Sequence, residues 1–230
     1  MQGFQADGFF QEYAVVDYRN AIILPDSLDT AAAAPLFCAG VTAFHGVEEC
    51  GLKPGQWMAI IGAGGLGQLG VQYAKAMGYK VIAIDIHDAQ LEEAKGLGAD
   101  HTFNSITDKS YVDKIVEITN GGVDAAVNFT ASKKAYDSMP PLIRHVTGVL
   151  MVVGVTKEPL EFSSLDIAMG RYILKGACNG TCYNMAPCIE FSAKNNIKPY
   201  VEYYSIEDLP LMVEKMQSGK ARGRMAVKFD

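Results

Sequence analysis

Three glycines, Gly62, Gly64 and Gly67, sit in the stretch "WMAIIGAGGLGQLGVQYAKAMGYKVIAID" (57–85) at the spacing GxGxxG. They follow an apolar run and open a helix-like segment. Eighteen residues after Gly67, a second apolar run ends on Asp85. In that context the glycines form a grip for the pyrophosphate of a dinucleotide. Gly62 permits the tight turn, Gly64 lets backbone N–H groups approach the phosphates, and Gly67 lets the helix pack close to its strand. Gly65 removes one more side chain from the approach, and Leu66 lies inside the same turn. The helix N-terminus adds unpaired N–H groups and partial positive charge. No GxxxxGK[ST] occurs, which excludes a nucleoside-triphosphate loop. The Asp85 carboxylate suits the hydroxyls of an adenosine ribose and would repel a 2′-phosphate. Ile86, His87 and Asp88 offer that phosphate no arginine or lysine, so NAD(H) is expected over NADP(H).

Proton-transfer groups are less clearly marked. Cys38, His45, Tyr183 and the carboxylates are dispersed, and none has a spacing that singles it out. None of the eleven tyrosines is followed four residues later by lysine, and there is no GxSxG nucleophile turn. The five cysteines form no CxxC pair and no zinc-finger spacing. Their odd number is expected of reduced thiols in a cytoplasmic compartment.

The elements that must position these residues alternate along the chain. Strands are expected at 57–62, 80–85, 101–104, 123–128, 148–154 and, as an edge, 172–178. Helices are expected at 65–77, from Asp88, at 109–119 and from Ser132. Continuous apolar runs separated by helices predict a doubly wound parallel α/β sheet covered on both faces. The turns Asn128–Thr130 and Gly154–Thr156, the latter including Val155, follow the fourth and fifth strands at the carboxyl edge, where such sheets bind ligands. The flanks read differently. Residues 8–18 look like an extended strand, and 27–50 are alanine-rich helix broken near Pro35. A helix is expected at 206–218 and an exposed-edge strand at 224–229. The expected organisation is a flanking unit over 1–50, the dinucleotide-binding domain over 51–200, and a return to the flanking unit over 201–230.

Hydrophobic residues make up 49% and charged residues 20% of 230, which suits a globular chain with a proper core. A formal net charge of −6 argues against a nucleic-acid surface. The apolar runs are too short to cross a bilayer, so no membrane partner is expected. The opening "MQGFQADGFF" lacks the basic start and apolar core of a signal peptide.

Four stretches, "DGFFQEYAVVD" (7–17), "AAPLFCAGVTAFHG" (33–46), 52–85 and "VEKMQSGKARGRMAVKF" (213–229), resemble the medium-chain, zinc-dependent alcohol dehydrogenases, most closely their fungal and bacterial tetrameric branch. The resemblance spans nearly the whole chain. It implies a Rossmann domain with remnants of a GroES-like catalytic domain at both ends. It also implies hydride transfer between an alcohol or aldehyde and nicotinamide. Cys38 would be the third catalytic zinc ligand, Thr42 would lie beside the nicotinamide, and Arg224 would contact the pyrophosphate. The turns at 128–130 and 154–156 would hold the nicotinamide half. In the family the other two zinc ligands and a four-cysteine structural lobe precede the part matched here. Cys38 is therefore left as an orphaned ligand position, and no tightly bound zinc is expected. His45, seven residues on, could share a helix face with Cys38, yet two ligands make a poor site. Edge strand 172–178 is expected to pair with its mate in a homodimer, as in relatives. Two other readings stay open: an NAD-binding module without dehydrogenase activity, and an enzyme repurposed for a non-redox rearrangement in the cleft above the sheet.

Overall fold

The computed structural model describes residue 5 and residues 7–179, 182–218 and 221–229. Residues 1–4 and 6 of the opening stretch, and Gly219 and Lys220 of the C-terminal match, lie outside the described residues. Six parallel strands form the central sheet: β1 (Trp57–Ile61), β2 (Lys80–Asp85), β3 (His101–Asn104), β4 (Ala125–Asn128), β5 (Val149–Val152) and β6 (Ile173–Gly176). Their order is β3-β2-β1-β4-β5-β6, so the chain reverses direction across the sheet between β1 and β4. This is the doubly wound order, and its crevice lies beyond the carboxyl ends of those two strands.

Alternating side chains explain why both faces are covered. Met58, Ile60, Val81, Ala83, Val127 and Met151 enter one buried cluster. Ala59, Ile61, Ile82, Ile84, Ala126 and Leu150 enter the other. Successive strand residues point to opposite faces, so a strand buried on both reads as one apolar run.

The helices are α1 (Thr30–Ala33), α2 (Ala39–Glu48), α3 (Gly65–Ala76), α4 (Asp88–Gly96), α5 (Tyr111–Ile118), α6 (Lys133–Asp137), α7 (Ser164–Ala168), α8 (Cys182–Lys194) and α9 (Leu209–Gln217). Most expected elements hold to within about two residues at each end. The break near Pro35 is a 3-10 turn, Ala34–Phe37, between α1 and α2. Helix α2 packs on α3 and α8, and Val41, Ala43 and Val47 are wholly buried in the same core as β1. Inside that core the Tyr73 hydroxyl meets Ser192 Oγ at 2.8 Å and Cys188 Sγ at 3.4 Å, which ties α3 to α8. Burial pushes the Tyr73 hydroxyl far above the ordinary tyrosine range, so it stays protonated.

Two differences from expectation have physical causes. Residues 8–18 join no strand among the described residues, and Tyr13 and Val15 are exposed. Alternation alone does not make a strand, because the ladder needs a partner. Conversely, the expected strand near 224 has a partner that the sequence reading did not identify. β7 (Val201–Tyr204) and β8 (Arg224–Val227) pair in parallel as a separate two-stranded sheet. Among the described residues no single helix is long and apolar enough to cross a membrane. Cys38, Cys50, Cys178 and Cys188 are free thiols, two exposed and two buried.

Candidate functional site

The turn after β1 is shaped by two requirements. Gly62 adopts φ +86°, a left-handed conformation in which a Cβ would also strike the Thr130 side chain. A Cβ on Gly67 would overlap the Gly62 carbonyl. The turn therefore closes onto the first helical turn only with glycine at both places. Around Gly64 a Cβ would meet nothing within 4 Å, so the backbone there lies open to a ligand. Helix α3 begins at Gly65 with no side-chain cap, which leaves its first N–H groups available.

Asp85 is fixed by three backbone donors. Its Oδ2 accepts from the Ala63 N–H at 2.6 Å, and its Oδ1 accepts from Ile86 and His87 at 2.7 and 2.9 Å. A carboxylate has about four lone-pair sites. One direction is left for a ligand hydroxyl, and Ala63 ties the carboxylate to the glycine turn. Behind the turn Gln68 is buried and donates to Glu93 and Gln90, which clamps α3 to α4.

A cleft of about 830 Å³ opens over these groups. Gly62, Gly64, Gly65, Leu66 and Gly67 form one wall, and Asp85 stands beside them. Phe129 and Thr130, after β4, face them across the crevice. Ser105 and Ile106 bound the outer end, past the carboxyl end of β3. From β8, outside the sheet, Arg224 reaches the cleft rim. Its Nε is buried with no hydrogen-bond partner. Burial lowers the guanidinium pKa from its ordinary value, opposed by the nearby Cys38. An arginine remains charged even so, and its unpartnered N–H is a charge-assisted donor beside the open backbone amides of the glycine turn.

Other residues singled out from sequence lie elsewhere. Asn128 is fully buried beneath the turn after β4, not on the cleft wall. The Gly154 N–H donates to the Asn128 carbonyl, Gly154 accepts from the Tyr136 hydroxyl at 2.6 Å, and Val155 is exposed. Cys38 shares a second, apolar cavity of about 310 Å³ with Arg224, Phe9, Pro35, Met225 and Phe229. Arg224 therefore lines both spaces. Thr42 is buried, with its Oγ1 at 2.6 Å from the Cys38 carbonyl and 3.1 Å from Asn179 Oδ1. His45 lines neither space. Its Nε2 is 3.8 Å from Glu49 and its Nδ1 is buried without a partner. Among the described residues no three His, Cys, Asp or Glu side chains converge as metal donors. The described donor set near Cys38 does not fit a three-ligand zinc.

Sequence reading placed Phe129 in a ligand-binding turn but missed Ser105, Ile106, Tyr111 and Lys134 as cleft residues. Parallel strands end together at one edge, so Ser105 and Ile106, just after β3, could have been nominated from the expected strands as the turn after β4 was.

A family model described as zinc-binding dehydrogenase matches residues 65–194. Two alcohol dehydrogenases of Geobacillus stearothermophilus are 35% and 37% identical over 227 and 230 residues. Each alignment covers 99% of this chain, and 66% and 67% of the respective relative. The chain thus spans about two thirds of the length of the curated relatives it matches. Among solved structures, the alcohol dehydrogenase of Aeropyrum pernix aligns with TM-score 0.87 and 29% identity, covering 97% of this chain and 66% of that one. The acetophenone reductase of Geotrichum candidum, solved in complex with NAD, aligns with TM-score 0.84 and 25% identity, covering 96% and 62%.

Proposed function

The chain belongs to the zinc-binding dehydrogenase family, and we propose that it binds NAD(H) and serves hydride transfer between a small alcohol and its aldehyde or ketone. The observation that carries this reading is the unpartnered Arg224 Nε at the rim of the cleft that also holds the glycine turn and Asp85. The groups match the parts of a dinucleotide. The amides at Gly64–Leu66 and the Arg224 guanidinium would receive the pyrophosphate. Asp85, with one lone-pair direction free, would accept from the adenosine ribose and disfavour a 2′-phosphate. Thr130, across the crevice, would meet the nicotinamide half. NAD+ supplies a hydride acceptor when bound; the chain's own groups orient it and shield it from water. In the overall reaction the alcohol carbon gives up a hydride and its hydroxyl gives up a proton, leaving the carbonyl compound.

A small substrate would enter the apolar cavity beside Cys38, which adjoins the dinucleotide cleft through Arg224. No step is assigned to zinc, because Cys38 is the one family ligand position among the described residues and no donor set completes it there. A homodimer through β6 is supported by the exposure of Ile173 and Leu174, 46% and 40%, on a strand whose outer edge is unpaired among the described residues. The free thiols support a reducing, cytoplasmic setting. Mixing the protein with NAD+ and a panel of primary and secondary alcohols, and following absorbance at 340 nm, tests the activity. Substrate-dependent growth of NADH absorbance is expected. Saturable NAD+ binding with no turnover on any alcohol or carbonyl compound would leave a binding module in its place.

A further inference from the structure

The turn after β4 contains a hydrogen-bond arrangement whose direction is forced. Asn128 Oδ1 lies 2.8 Å from the Thr130 N–H and 2.8 Å from Thr130 Oγ1. A backbone N–H can only donate, so the oxygen of the Asn128 amide must face Thr130. The Thr130 hydroxyl, meeting that same oxygen, must donate as well. Thr130 Oγ1 also accepts from the Ser132 N–H at 3.3 Å. A hydroxyl has one proton and two lone pairs. The proton and one lone pair are committed inside the protein, and one lone pair remains where Thr130 lines the cleft.

Buried neighbours hold the backbone around this arrangement, while the Asn128 Nδ2 is buried without a partner. Asn128 is fully buried. Its carbonyl accepts from the Gly154 N–H at 2.9 Å, and Gly154 in turn accepts from the Tyr136 hydroxyl at 2.6 Å. A Cβ at Gly154 would overlap the Thr130 carbonyl, and one at Gly62 would overlap the Thr130 side chain. Thr130 thus packs closely against the backbone at Gly62 on one side and at Gly154 on the other.

Building on the dinucleotide reading above, we infer that Asn128 is a positioning residue that fixes Thr130 as an acceptor-only contact for the nicotinamide half of the ligand. Such a contact favours a partner carrying a proton, a ribose hydroxyl or a carboxamide N–H, and disfavours a phosphate oxygen. It therefore reads orientation. A dinucleotide bound with its halves misplaced, a phosphate against Thr130, would set two acceptors against each other.

The test uses the whole chain and calorimetric titration with NADH and with ADP, which carries the adenosine and paired phosphates but no nicotinamide ribose. Thr130→Val should weaken NADH about tenfold and leave ADP unchanged, since one ligand hydrogen bond is lost. Thr130→Ser should restore NADH. Asn128→Val should weaken NADH by a similar factor, again sparing ADP. The double variant should be no weaker than the weaker single, because both remove the same contact. Equal losses for NADH and ADP, unchanged NADH binding in Thr130→Val, or multiplying effects in the double variant would overturn the inference while leaving the dinucleotide reading intact. Wild-type protein that binds neither NADH nor ADP would instead remove that reading itself. Should Asn128→Val fail to fold, the Thr130→Val and Thr130→Ser pair still decides the matter.

Discussion

The crevice between β1 and β4 and the region around Cys38 differ in how far their parts converge. In the crevice, groups up to 162 positions apart, from Gly62 to Arg224, close on one space. Asp85 is held by three N–H donors, and Thr130 by the buried Asn128. Around Cys38 the thiol is exposed, Thr42 bonds toward Asn179, and His45 turns to Glu49. A site is recognisable when independent hydrogen bonds fix its members toward a common volume. The first region meets that standard among the described residues and the second does not.

Substitutions at the glycine turn should break the comparison most severely. Gly67→Ala sets a methyl into the Gly62 carbonyl. NADH binding should fall at least about a hundredfold, with stability lower by roughly 1–3 kcal/mol as the turn is forced open. Titration and thermal unfolding measure the two effects together. Next comes Arg224→Met. Removing a guanidinium whose Nε has no protein partner should weaken NADH roughly ten- to hundredfold. The melting temperature should barely move, because no internal hydrogen bond of that Nε is lost. A large fall in melting temperature with unchanged NADH affinity would make Arg224 a structural residue.

Cys38→Ala should act in the opposite sense for the other region. The thiol is exposed, so NADH affinity should stay within about twofold and stability within about 0.5 kcal/mol. A tenfold loss of NADH would show that the two regions are one site. The smallest effect concerns the β7–β8 sheet that carries Arg224. Lys215, through its 2.6 Å hydrogen bond, and Tyr204 hold the Glu202 carboxyl below its ordinary value of 4.5. A depressed carboxylate contributes stability that is present above pH 4.5 and is lost as pH falls through the lower folded value. Glu202→Gln should therefore flatten the acid side of the stability curve, lowering the melting temperature by no more than about 2 °C near pH 7 and leaving it unchanged once pH falls below the folded value.

Much of the central sheet was legible because its strands are buried on both faces, so apolar runs such as 80–85 and 149–152 mark them directly. The glycine turn was legible because Gly62 and Gly67 answer local demands. Helix α8 and strand β7 were not identified. Pro187 lies inside α8, and proline ordinarily argues against a helix interior. β7 is short and half-exposed, and it exists by pairing with β8 some twenty residues later. The same limit hid the role of Asn128. Its type and position at a strand end suggested ligand contact. Its burial and its bonds to Thr130 depend on how the turns after β4 and β5 meet, which no local pattern encodes.

The central claim, that the crevice is a dinucleotide site selective for NAD(H), is tested most directly by titrating the purified chain with NADH and NADPH side by side. Saturable NADH binding in the micromolar range is expected, with NADPH at least about a hundredfold weaker because its 2′-phosphate would face the Asp85 carboxylate. Equal affinity for the two, or no binding of either at millimolar concentration, would contradict it.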